Sequence, residues 1–132
     1  MSLRVFIPCD AGAVAVGADE VTGAMERAAR RRNVALEIVR TGSRGLYWLE
    51  PMVEVATAAG RVAYGPVTPD DVPSLIDAML GNGTHPLNQG AADDIPWLKR
   101  QTRLTFARSG VVDPRSLDDY RLHSGCRGLA QA

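Results

Sequence analysis

The stretch LRVFIPCDAGAVAVGADEVTGAMERAARRRNVALEIVR, residues 3–40, decides the fold. It opens by alternating Leu3, Val5 and Ile7 with Arg4 and Phe6, the period of two expected of a strand with one buried face. Small residues between Asp10 and Gly17 then turn the chain. Beyond them Val21, Ala24, Met25 and Ala28 recur at helical spacing, with Asp19 and Glu20 at the start of the run and Arg30, Arg31 and Arg32 at its end. Both charge biases complement a helix dipole. Gly23 costs this helix up to about 1 kcal/mol relative to alanine unless close packing requires it. The β-branched run VALEIVR, residues 34–40, reads as a second strand. A helix flanked by strands is a βαβ unit, which makes the two strands parallel.

Outward from this unit, the loop SRGLYWLEP (43–51) leads through Pro51 into MVEVAT (52–57) and RVAYG (61–65). These two runs are separated by AAG (58–60), a short glycine-containing connection that predicts an antiparallel hairpin. The sharpest helix start is TPDD (68–71): Thr68 as N-cap, Pro69 at the first helical position, and Asp70 and Asp71 in the first turn, Asp71 placed to complete a capping box. Val72, Leu75, Ile76, Met79 and Leu80 form its apolar stripe, Pro73 falls early in it, and GNG (81–83) stops it. The order βαβββα, a βαβ half and a ββα half, predicts an α/β fold over residues 1–81, a small sandwich of thioredoxin-like type. Residues 82–94, polar and rich in Gly, Asn and Pro, read as a linker, and 95–132 as an extended C-terminal tail with a further helix start at Asp113-Pro114. Such a tail is too short to bury a core of its own, so Trp97, Leu98, Leu104 and Phe106 need a partner surface.

Composition narrows the functional classes. A chain of 132 residues, 45% hydrophobic, suits one compact domain with an appendage. Fifteen basic and fifteen acidic residues cancel, so no global field draws the chain to nucleic acid or an anionic membrane. No apolar run approaches the roughly 20 residues that span a bilayer. The opening MSLRVFIPCD enters a strand pattern without a charged leader, and a cytoplasmic location is expected. Cys9 and Cys126, at opposite ends and without CxxC spacing, fit a reducing compartment.

Few groups carry chemistry. His85 and His123 share no ligand spacing, so no metal site is expected from them. Asp70, Asp71, Asp118 and Asp119 read as helix-start charges. Gly12 and Gly17 have GxxxxG spacing, but Ala18-Asp19 stand where a phosphate-binding loop needs Lys-Ser/Thr. Cys9, ahead of a helix N-terminus, allows a thiol-dependent thioredoxin-like enzyme as an alternative function, with no second cysteine nearby to resolve a disulfide. Lys99, Arg100, Arg103 and Arg108 with Trp97 and Phe106 form a basic-aromatic set; nucleic-acid binding ranks third, and no nucleic acid or membrane is expected as partner.

Taken together, the βαβ and ββα halves and the loop SRGLYWLEP resemble the thioredoxin-like [2Fe-2S] ferredoxin domain of complex I and of related NAD-linked hydrogenases and formate dehydrogenases. Gly45 and Pro51 match that family's second cluster loop, and the resemblance puts Ser43 and Tyr47 where its second cysteine pair stands. In the first loop it puts Ala13 at one ligand position and Pro8 or Cys9 at the other. At most one of four ligands is retained, which implies a cluster-free docking or structural domain with no catalytic residue and no cofactor in this segment. Tyr47 and Trp48 would then fill the vacated space or face a partner, with Trp97 and Phe106 as further interface residues. The tail IPWLKRQTRLTFARSGVVDPRSLDDYRLHSGCRGL (95–129) resembles the segment leading into the FMN-binding domain of the NADH-oxidising flavoprotein subunit. Gln101, Arg103, Gly110, Asp113, Pro114 and Tyr120 match it, whereas Ser124, Cys126 and Gly128 depart. The pair of resemblances implies the beta subunit of NAD-dependent formate dehydrogenase. It also implies partners among the other subunits of a formate dehydrogenase or hydrogenase complex and an FMN-binding domain beyond residue 132. In full-length relatives FMN, NAD and a [4Fe-4S] cluster lie in that later part.

Overall fold

The computed structural model describes residues 2–81 and 84–132. Strand β1 (Ser2–Pro8) is followed by a short helix α1 (Ala11–Ala15), helix α2 (Ala18–Arg31) and strand β2 (Ala35–Thr41). Strands β3 (Val53–Thr57) and β4 (Gly60–Tyr64), helix α3 (Val72–Leu80), strand β5 (Asn88–Ala91) and helices α4 (Pro96–Lys99), α5 (Leu117–Leu122) and α6 (Arg127–Gln131) complete the chain. They form an α/β fold around a five-stranded sheet of order β2-β1-β3-β4-β5. β1 and β2 are parallel, from Ser2 opposite Ala35 to Pro8 opposite Thr41, while β1–β3, β3–β4 and β4–β5 are antiparallel. The βαβ crossover and the hairpin thus lie where the alternation and the AAG connection put them.

One face of the sheet is apolar. Leu3, Val5, Ile7, Val53, Val55 and Tyr64 point into a core closed by Val21, Met25 and Ala28 of α2 and by Val72, Leu75 and Ile76 of α3. Arg32 clamps the two helices through paired contacts with Asp77, at 2.6 and 2.9 Å, and a bond to the Pro73 carbonyl. A Cβ on Gly23 would meet only the end of the exposed Arg27 side chain, so no packing demand explains that glycine.

Several boundaries differ from the sequence reading, each for a physical reason. Helix α3 begins at Val72 instead of Pro69. A start at Pro69 would put Pro73 a full turn into the helix, with no N–H to give and a ring against the Pro69 carbonyl. Thr68 still serves as a clasp, its N–H and hydroxyl both donating to the Asp71 carboxylate at 2.8 and 2.6 Å. Asp71 is thereby held below the usual carboxylate range. Gly81 ends the helix as expected, and Asn82 and Gly83 of the GNG stop lie outside the described residues. α5 starts at Leu117, capped by Ser116, whose hydroxyl accepts from the Asp119 N–H; Asp113 instead folds back onto the Arg115 N–H. The small residues after Cys9 wind into α1 rather than an open loop.

The largest difference concerns the second face of the sheet. Residues 88–91, within the stretch read as a linker, add strand β5 to the sheet edge. Ala92 and Ile95 then enter a second cluster with Leu46, Leu49, Met52 and Ala63, against which Leu98 packs. Phe6, on the face read as outward, is 5% exposed because Arg61 lies 3.4 Å from its ring centroid. Among the described residues no helix is long and apolar enough to cross a membrane.

Candidate functional site

The ends of β1 and β2 deliver two loops to the same edge of the sheet, and these carry the residues singled out from the sequence. Cys9 is half-buried, its N–H donating to the Thr41 carbonyl at 2.8 Å. Ala13 lies fully buried in the helix-side core. Ser43 donates to the Glu50 carboxylate at 2.8 Å and accepts from the Gly45 N–H. The Tyr47 ring passes beside Gly12, where an added Cβ would lie 3.9 Å from it, so the two loops touch. Cys126 is exposed on the tail, away from Cys9 in sequence and unpaired by a disulfide. Among the described residues no group of His, Cys, Asp and Glu is arranged to hold a metal ion.

Glu50 is the residue that the sequence reading passed over. It is 7% exposed and accepts from Ser43 and from the Met52 N–H, bracing the second loop from within. Burial pushes its carboxyl above the usual range; the bonds from Met52 and Ser43 work against that shift, and the charges of Asp10 and Glu54 add to it. Asp10 brings a buried carboxylate oxygen with no hydrogen-bond partner among the described residues. A charged residue flanking a proline in a loop gives no sequence sign of being buried.

The aromatic residues are not buried between the loops, although the Tyr47 ring borders the first one at Gly12. Tyr47 and Trp48 lie in a 3₁₀ turn, 69% and 59% exposed, while their neighbours Leu46 and Leu49 take the buried positions. Trp48 meets Trp97 edge-on at 5.9 Å between ring centroids, and Phe106 is 70% exposed.

Beneath this edge the second face of the sheet carries a buried ion pair. Arg44 clasps Glu54 through two bonds of 2.6 and 2.9 Å and reaches Asp93 at 3.2 Å. Burial opposes the charge of Arg44, but the hydrogen bonds and charge of Glu54, with Asp93, hold its pKa above the ordinary value. Arg61 approaches the same carboxylate at 3.6 Å and is lowered, chiefly by burial. The tail closes over this pair. Arg61 donates to the Gly110 and Val111 carbonyls at 3.3 and 2.8 Å, Arg103 to the Arg44 carbonyl at 2.7 Å, and Ser109 to the Ser43 carbonyl at 2.9 Å. Gly110 adopts φ +77°, and a Cβ there would run into the Arg44 side chain.

Comparison with known proteins returns the fold. No protein-family model matches the sequence, and no curated protein does. Among solved structures, a thioredoxin-like [2Fe-2S] ferredoxin from Aquifex aeolicus is similar with a TM-score of 0.53 at 21% identity, over 68% of this chain and 92% of that one. A second structure of the wild-type Aquifex aeolicus ferredoxin gives 0.53 at 23% identity, over 65% and 94%. These matches correct the expectation that the segment has no cofactor: the solved structures similar to it are [2Fe-2S] ferredoxins. The side chains at the two loops supply a different donor set, with Cys9 the one thiol beside Ala13, Ser43 and Tyr47, and this does not fit ligation by four thiolates. The sheet order, the helix-covered face and these matches together give the chain a thioredoxin-like fold.

Proposed function

We propose that the chain is an electron-transfer-related, thioredoxin-like domain of the flavoprotein (beta) subunit of an NAD-dependent formate dehydrogenase, where it serves as a docking and structural element. In this reading residues 1–81 form the ferredoxin-type unit and residues 95–132 lead toward an FMN-binding domain. One observation supports it above the others. The tail residues that resemble the flavoprotein lead-in also attach the tail to the ferredoxin-like unit: Arg103 on the Arg44 carbonyl, and Gly110 against the Arg44 side chain. Asp113 and Tyr120 shape the turn and helix α5 that follow, Tyr120 lying under Arg108 at 5.1 Å. Two separate resemblances thus meet in one folded unit.

Co-expression with the FMN-binding domain supplied as a separate polypeptide and with the formate-oxidising subunit tests the reading. The chain is expected to co-elute with them in one complex that reduces NAD with formate, and omission of the chain is expected to lower that activity. A chain that elutes alone would overturn it. Within the same complex Cys9→Ser is expected to leave formate-dependent NAD reduction unchanged, whereas a thiol enzyme would lose its activity.

A further inference from the structure

A groove of about 650 Å³ runs between the second loop and the tail, with Ser43, Gly45 and Tyr47 on one wall and Arg103, Leu104 and Phe106 on the other. Three large apolar side chains stand open in it: Tyr47 is 69%, Phe106 70% and Leu104 86% exposed. Large apolar side chains grouped on one groove suit a binding surface, and aromatic residues are enriched at the centres of protein interfaces. The charge of the groove is one-sided. Arg44 and Arg103 are among its lining residues, and no aspartate or glutamate is.

The two arginines differ in what they have left to offer. Arg44 spends its guanidinium on Glu54 and Asp93. Arg103 is fixed by two neutral acceptors, the Gln101 side chain at 2.9 Å and the Arg44 carbonyl at 2.7 Å, and no carboxylate pairs with it among the described residues. Arg27 and Arg31 also lack a carboxylate partner among the described residues but lie on the exposed face of α2, whereas Arg103 is half-buried and held at the groove. A held guanidinium with free N–H groups matches a planar carboxylate.

We propose that this groove binds a protein segment bearing a carboxylate next to an apolar side chain, the carboxylate on Arg103 and the apolar group between Tyr47, Leu104 and Phe106. Single-stranded nucleic acid needs a track of cations beside its stacking platforms. Here Lys99 is paired with Asp94 at 2.9 Å, Arg100 turns back to the Pro96 carbonyl, and Arg108 binds the His123 carbonyl. The proposal does not rest on the formate dehydrogenase reading, which is tested by co-elution.

The test uses the full chain and an array of short synthetic peptides in which Asp or Glu stands next to Phe or Leu, with Asn and Gln counterparts and an oligothymidylate as controls. Saturable anisotropy changes are expected for acidic members, weakened roughly tenfold or more in the amide counterparts. Backbone shifts on binding are expected at Gly45, Tyr47 and Phe106. Arg103→Gln is expected to lose the same factor, as is Thr105→Glu, an exposed lining change that brings a repelling charge without touching the fold. Circular dichroism separates loss of binding from loss of structure. No saturable binding by any peptide, equal binding of the amide counterparts, or tighter binding of oligothymidylate would each overturn the proposal.

Discussion

The two faces of the sheet are held by different forces. On the helix side, Val5, Ile7, Val53 and Leu75 are fully buried among other apolar groups, and the packing is carried by burial and shape. On the tail side, beside the apolar cluster of Leu46, Leu49, Met52, Ala63, Ala92 and Ile95, one buried carboxylate, Glu54, gathers Arg44 and Arg61; Arg61 meets the tail through its main-chain carbonyls, and the Arg44 carbonyl accepts from the Arg103 side chain. An apolar face loses stability in proportion to the methyl groups removed. A buried ion pair fails abruptly when one partner goes: without Glu54, Arg44 keeps the exposed Asp93 alone and Arg61 loses its carboxylate.

Removing Glu54 gives the sharpest contrast. Glu54→Ala is expected to cost about 3–5 kcal/mol, read as a fall in Tm, and to raise amide exchange in residues 95–112 while β1 stays protected. Replacing Arg44 and Glu54 together by methionine and leucine is expected to cost less than the single change. Leu75→Ala on the other face is expected to cost about 2–5 kcal/mol without selectively freeing the tail. Equal tail exchange in the two single variants would mean that the faces are not held separately. Gly110→Ala comes next: strain at its positive φ and the encounter with Arg44 are expected to cost about 1–3 kcal/mol, seen in Tm and in tail exchange.

Trp48→Ala sits lower on the scale. A core tryptophan would cost about 3–5 kcal/mol, but Trp48 is 59% exposed and its main ring contact is the edge-on pair with Trp97. The expected loss is about 0.5–1.5 kcal/mol, and a larger one would place Trp48 with the buried face. The finest effect is a slope with pH. The folded-state pKa of Glu50 is raised above its unfolded value, so the protonated form favours the fold. Its contribution is fully present below the unfolded carboxyl value and is lost as pH rises through the raised folded one. Glu50→Gln is expected to remove that decline from urea-melt stabilities measured across mildly acidic pH, and an unchanged slope would exclude Glu50 as its source.

The same division governs what the sequence discloses. β1, α2, β2 and the β3–β4 hairpin were legible because apolar side chains make their contacts and leave a period behind. β5 was not: Asn88, Gln89, Gly90 and Ala91 are all exposed, and the strand is held by backbone pairing to β4. Phe6 was misplaced because its cover is Arg61, a residue type read as solvent-facing. At the loops, Gly45 and Pro51 pointed to the right fold, but Glu50 was hidden by its charge, and the burial of Leu46 and Leu49 in place of Tyr47 and Trp48 follows from a turn with no distinctive spelling.

Arg61 grips the tail by carbonyl oxygens at Gly110 and Val111, groups that every amino acid carries. The side chain of Val111 can therefore drift over evolutionary time without loosening this anchorage, provided that Arg61, Glu54 and Phe6 persist on the sheet. Part of the constraint on the tail's position is thus recorded in residues outside the tail, beside what Arg103, Ser109 and Gly110 record within it, and a search for conserved tail side chains alone would underrate how firmly the segment is placed.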